Sequence, residues 1–205
     1  LSFHICVRAV GASEPSTHTF TFDASNAIRC HTVTFRGVGS YYLGDLHDEA
    51  PSATTADVAS INLPVNGMVF GGLLWGNNIA STWTAPTGST EIMQDSSANG
   101  QGILFYQDFA SSGETGVQTV TCSSSLNASC YLFNIALFTS QAAPSLINLK
   151  ATAQATQAST VGSSLTINKP TGTVEGDLMV AMIMYRGSTV IDPPDGTWQI
   201  VHNAT

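Results

Sequence analysis

Lysine is nearly missing from this chain: among 205 residues it occurs only as Lys150 and Lys169. Lys and Arg together number 6 against 14 Asp and Glu, a formal net charge of -8 at pH 7. That balance excludes the basic face that a nucleic-acid backbone demands and offers nothing to an anionic membrane surface. Charge of either sign is scarce, at 10% of residues against about a quarter in an average domain. Long apolar runs are missing too. The longest, Leu178 to Tyr185, has strand length, far short of the ~20 residues that carry a helix across a bilayer. No secretory leader is visible. No stretch repeats its apolar residues at the helical period. The Ala-rich Ala151 to Ser159 contains too much Thr and reads as an extended linker or a first strand. There is no Gly-x-Ser-x-Gly elbow, and Asp177 and Asp195 lie in turn sequences, where Asp is favoured for its local backbone bonds. Neither an enzyme nor a cofactor is expected.

What the chain does have is hydroxyls and strands. Nearly a quarter of its residues are Ser or Thr, and glycine is abundant. A surface of Ser, Thr, Asn and Gly suits an extracellular protein, or one on a cell or virion surface, that is compatible with attached glycan. Thr17 to Phe22 alternates polar and apolar residues, as does Arg29 to Phe35, and Val117 to Cys122 and Tyr131 to Phe138 are their counterparts. Met68 to Trp75 and Leu178 to Tyr185 are nearly continuous apolar runs, the pattern of central strands covered on both faces. Pro precedes Gly in Ala85-Pro86-Thr87-Gly88 and Pro193-Pro194-Asp195-Gly196. Pro fixes φ and Gly accepts positive φ, so both read as tight turns. The fold class is all-β, with antiparallel sandwiches of jelly-roll or immunoglobulin-like type.

One pattern occurs twice, and the second occurrence wraps around the chain ends. The first copy runs over 50–148, through Ile61 to Pro64, Met68 to Trp75, Ala85 to Met93, Ile103 to Tyr106, Glu114 and Cys130 to Phe133. The second begins at Ile167-Asn168-Lys169-Pro170, passes through Leu178 to Met184 and reaches Pro193 to Val201. It resumes at Phe3 to Val7, Glu14, Thr17 to Phe22 and Cys30 to Phe35; Glu14 and Glu114, like Cys30 and Cys130, stand 100 residues apart. The reading is of two related units, 50–148 and 149–205 plus 1–48, the latter completed across the chain ends or by an adjacent copy. Residues 1–205 are then one period of a longer tandem array. Two joints link the units, Gly39 to Thr55 and Ser140 to Ser159, both short and polar.

Gly176-Asp177-Leu178, Pro193 to Trp198, Ala12-Ser13-Glu14-Pro15-Ser16-Thr17 and Phe35-Arg36-Gly37-Val38, taken in the wrapped order, resemble the tandem β-sandwich repeat modules of bacterial secreted and phage structural, fibre-type proteins. The four cysteines depart from that pattern. The resemblance implies a structural or adhesive role: a repeat unit of an extracellular filament whose partners are identical copies, with a carbohydrate-binding tail-fibre or adhesin module as the alternative. It brings no functional residues with it.

Candidate sites follow from residue type. The cysteines suggest disulfides. Cys122 and Cys130 flank a short polar segment and would close a hairpin, which leaves Cys6 for Cys30; bridges between the two copies are the rival pairing. His4, Cys6, Cys30 and His31 lack zinc-finger spacing. Asp45, His47, Asp48 and Glu49 lack the full ladder of a calcium loop and read as a solvated acidic loop. Tyr41, Tyr42 and Trp83, in expected loops, are the candidates for stacking on a glycan, whereas Trp75 and Trp198 read as core. Asn127-Ala128-Ser129 and Asn203-Ala204-Thr205 fit the N-glycosylation pattern, also in expected loops.

Overall fold

The computed structural model describes residues 2–23, 28–49, 54–75, 81–95, 101–124, 130–139, 147–157, 163–185 and 190–204. Among them there is no helix, and 18 strands follow one another. In chain order they are β1 (Ser2–Ala9), β2 (Thr17–Phe22), β3 (Ile28–Arg36), β4 (Val38–Glu49), β5 (Thr55–Val58), β6 (Asn62–Leu63), β7 (Gly67–Trp75), β8 (Trp83–Thr84) and β9 (Thr90–Asp95). There follow β10 (Gln101–Phe109), β11 (Gly113–Glu114), β12 (Gln118–Cys122), β13 (Cys130–Thr139), β14 (Asn148–Gln157), β15 (Ser164–Asn168), β16 (Leu178–Tyr185), β17 (Ile191–Asp192) and β18 (Gln199–Ala204). The acidic segment at Asp45 to Glu49, expected as a loop, is strand: it belongs to β4. The Ala-rich stretch after Asn148 is the first-strand alternative, β14.

The chain divides into two compact units, a central unit of Gly39–Ile147 and a split unit of Leu1–Val38 with Asn148–Thr205. The first boundary falls ten residues before the expected one. β4 hydrogen-bonds to β13, so Gly39 to Glu49 belong with the central strands.

In the central unit a five-stranded sheet runs β4-β13-β7-β10-β9 and a three-stranded sheet runs β5-β12-β8. The first strand pairs with the last, the second with the second-last, and β7 with β10. This nesting is jelly-roll connectivity. In the split unit the sheets run β14-β3-β16-β1-β18 and β15-β2-β17. Reading from β14 through β18 and on to β1, β2 and β3 reproduces the same nesting. The same chain fills both halves of the unit. β18 and β1 are antiparallel neighbours, with Phe3 opposite Ala204, where the central unit has the β9–β10 pair. Both pairs carry a register shift at the same point, between Ile5 and Cys6 and between Leu104 and Phe105.

Alternation builds the cores. Along β2 and β12 every second side chain is buried, so these strands turn one face to the facing sheet and one to water. In the split unit Phe20 and Phe22 of β2 share a core with Ile183 and Tyr185 of β16 and with Trp198. In the central unit Val120 of β12 meets Leu73, Phe105 and Leu132. Each such fully buried side chain contributes about 1.5–3 kcal/mol of transfer free energy. Every residue of β16 is buried, as are Met68 to Leu74 of β7, as the unbroken apolar runs predict.

The pairings refine the internal match. Leu178 stands opposite Phe35 and Met68 opposite Leu137. Cys130 faces Trp75, a place that Ile28 takes opposite Tyr185; Cys30 corresponds to Leu132, not to Cys130. A slip of two residues keeps the same face inward, which is why the sequence pattern alone misplaces it. Similarly Val58, opposite Gln118, holds the place of Ile167 opposite His18. Ile61 lies beyond, beside the short β6–β11 pair.

Candidate functional site

The expected disulfides are absent: all four cysteines are buried thiols. Cys6 and Cys30 lie on β1 and β3, which are separated by β16. Two strand spacings make about 9.6 Å, beyond the ~6.8 Å that a bridge spans between Cα atoms. Cys122 and Cys130 are not two arms of one hairpin either, since β12 and β13 belong to different sheets. The positions explain the residue type: these are small core side chains. Burial pushes the Cys6 thiol up to about 12 and raises Cys30 as well, which suppresses the reactive thiolate. In a native-state titration with a thiol reagent, no cysteine should react; all four should react in denaturant, and reductant should leave the melting curve unchanged. Two thiols or fewer after denaturation would restore the bridges.

The remaining expected sites separate in the same way. No group of three or more His, Cys, Asp or Glu able to hold a metal occurs among the described residues. His47 Nδ1 lies 2.7 Å from Asp45 Oδ2, which also accepts the Ala59 amide; this is a local strand contact. Trp83 is a correction: it lies on β8 opposite Cys122 and is 4% exposed, in the core of the central unit, and so offers no stacking face. Tyr42 is half-buried, stacks on Phe138 and donates its hydroxyl to the Asn62 carbonyl. Tyr41 is also half-buried on β4. Asn127 lies outside the described residues. Asn203 is on strand β18 opposite His4, not in a loop. No helix is long and apolar enough to cross a membrane among the described residues.

What the structure does bring together is a set of charges where the two segments of the split unit meet. Gly176 adopts φ 83°, a conformation costly for other residues. It closes a turn in which the Asp177 amide donates to the Val174 carbonyl. That turn aims the buried Asp177 carboxylate at Arg36, which forks onto it through Nε at 2.8 Å and Nη2 at 3.0 Å. The Val10 amide donates to the Asp177 carbonyl and the Gly176 amide to the Val10 carbonyl. Burial pushes the Asp177 carboxyl up, but the Arg36 bond, the Val174 amide and the Arg36 charge outweigh it and leave it lowered.

A second contact lies along β1. Arg8 Nη1 donates to both oxygens of Asp195, at 2.9 and 2.7 Å, and Nε reaches Glu14. Glu14 Oε1 is 3.1 Å from His18 Nε2, and both side chains are almost fully buried. The Trp198 ring lies edge-on to His18 and under the Arg8 guanidinium. Asp195 accepts from the amide and hydroxyl of Thr197. Thr197, opposing desolvation, and then Arg8 hold the Asp195 carboxyl at about 2. The Pro193 to Gly196 turn therefore works through the Asp195 side chain, whereas Pro86 to Ser89 uses the positive φ of Gly88 as expected.

At the same place in the central unit the groups are neutral. Gln118 Nε2 donates to Gln107 Oε1 at 2.9 Å, and Ser89 Oγ donates to it at 3.4 Å. Where Arg36 meets Asp177, the central unit has Phe138 beside Gly67. The charge count carries this signal. Between Arg36 and Lys150 there is no lysine or arginine, and eight carboxylates run from Asp45 to Glu114. The whole net charge thus sits in the central unit, and all 6 cations sit in the split one. Reading the charge per unit instead of per chain exposes it.

Comparison with protein-family models, with curated proteins and with solved structures gives no match.

Proposed function

We propose that this chain is a structural repeat module of an extracellular, cell-surface or virion-surface fibre, built by joining or interlocking copies of itself. One observation carries the reading. The split unit has the strand order of the central unit only when β18 is followed by β1, and those two strands are paired neighbours. Joining copies end to end, or lending strands between copies, would then produce an unbroken series in which the two kinds of jelly roll alternate. The low charge and the Ser and Thr content support a surface placement. The cysteines, being buried thiols, say nothing about compartment. A glycan-binding reading loses Trp83, which lies in the core, and keeps only the half-buried Tyr41 and Tyr42.

Negative-stain microscopy and sedimentation on the chain at rising concentration, and on a fusion joining Thr205 of one copy to Leu1 of the next, test the reading. The single chain should form linear oligomers, and the fusion should form rods whose length grows with copy number. A single chain that remains one copy at every concentration, with a fusion that collapses into separate compact particles, overturns it.

A further inference from the structure

We propose that strands β1 to β3 of one copy dock onto the β14 to β18 half of a second copy, and that the Arg8–Asp195 and Arg36–Asp177 contacts select this docking. The inference rests on the fibre reading and names its joint.

The joint links segments that are remote along the chain. The covalent path from β3 to β14 runs through the entire central unit. In the central unit the corresponding strands follow one another directly, so the intervening segments hold their register. A joint between separated segments has no such tether, and its register must come from side chains and backbone. The split unit carries the means. Arg36 forks onto Asp177, and Arg8 grips Asp195. Paired guanidinium and carboxylate groups add geometric specificity to attraction. Both arginines lie on the 2–36 side and both aspartates on the 163–204 side. The neutral Gln107, Gln118 and Phe138 at the matching places show that the jelly roll itself does not require these charges.

Backbone bonds mark the same seam. The Phe22 amide donates to the Ser163 carbonyl, and the Lys169 amide to the Ser16 carbonyl. Every one of these contacts can form within one copy or between two, because each joins the same two surfaces. Exchange therefore keeps each of these contacts, and concentration becomes the control.

Charge exchange between two full-length chains tests this. The first carries Arg8→Glu and Arg36→Glu; the second carries Asp177→Arg and Asp195→Arg. Alone, each sets like charges against each other in its own split unit and should lose that unit's melting transition. Refolded together, each supplies what the other needs. The transition should return, and native mass spectrometry should show species containing both chains. All four substitutions in a single chain should also restore folding. If that chain folds and the mixture does not, docking occurs only within a copy and the inference fails. If that chain does not fold, isotopically heavy and light wild-type chains are unfolded together and refolded at high concentration. Mixed species uphold the inference, and purely heavy and purely light species overturn it. Rods from the end-to-end fusion without exchange would retain the fibre reading while removing this joint.

Discussion

Replacing Phe105 with cysteine, the residue at the same place in the split unit, is expected to cost the central unit about 3–5 kcal/mol. That is a large share of the roughly 5–15 kcal/mol that holds a domain folded. Phe105 is fully buried opposite Gly71. A Cβ on Gly71 would lie 3.0 Å from Phe105 Cζ and 3.1 Å from the Phe133 carbonyl, so the ring occupies the space that the glycine leaves. In the split unit Cys6 stands opposite Ala181. The residue in the place of the ring is smaller and the one in the place of the glycine is larger by a methyl group, a partial compensation of volume across the pair. Adding Gly71→Ala to Phe105→Cys should therefore recover part of the loss. Conversely, Cys6→Phe should overpack the split unit by about 1–3 kcal/mol. Urea unfolding followed by Trp fluorescence measures all three effects. A Phe105→Cys loss below about 1 kcal/mol, outside the range for such a truncation, would mean that the core collapses around the gap and that the fit of the ring against Gly71 carries little weight.

Acid should move the melting transitions of the two units in opposite directions. In the split unit burial lowers the His18 pKa against the opposing pull of Glu14, and burial lowers that of His202. A histidine whose folded pKa is lowered binds its proton more readily when unfolded, so its contribution is present above about 6.5 and is lost below. Asp177 and Asp195 are lowered carboxylates, with Asp195 at about 2. Their contribution is present above about 4 and is lost as pH falls toward their folded values. Every shifted group cited here for the split unit therefore loses stability on acidification. The central unit has the reverse sign. Burial raises the Asp108 carboxyl, so the folded state gains the proton first and is stabilised as pH falls. Its eight carboxylates without a lysine or arginine also repel one another less once protonated. At the alkaline end burial raises Tyr41, Tyr42 and Tyr131, so the central unit should lose stability above about pH 10. Calorimetry between pH 7 and pH 4 should show one transition falling and the other rising or holding. Two transitions that fall in parallel would overturn this assignment. Added salt should raise the central transition selectively, since screening weakens surface repulsion.

Much of the fold was legible because strand chemistry is local. Thr17 to Phe22 announces a half-buried strand by alternation, and Leu178 to Tyr185 a fully buried one by its unbroken apolar run. The sites were less legible. Spacing placed Cys122 near Cys130 along the chain, but sheet assignment is a long-range property, and the two strands went to different sheets. Trp83 sat among polar residues and looked exposed; pairing with β12 carried it into the core. The acidic run at Asp45 looked like a loop because charge is rare in core strands, yet among the described residues β4 pairs only with β13, and such an edge tolerates charge.

Residue order was enough for the all-β class, the scarcity of cations and the strands themselves, because alternation, composition and turn residues act over a few neighbours. Which carboxylate meets which arginine, that the cysteines remain thiols, and that β18 lies against β1 emerged from the folded chain. Those outcomes depend on distances between residues far apart in the chain. Such distances are set by how whole sheets pair, which no local pattern encodes.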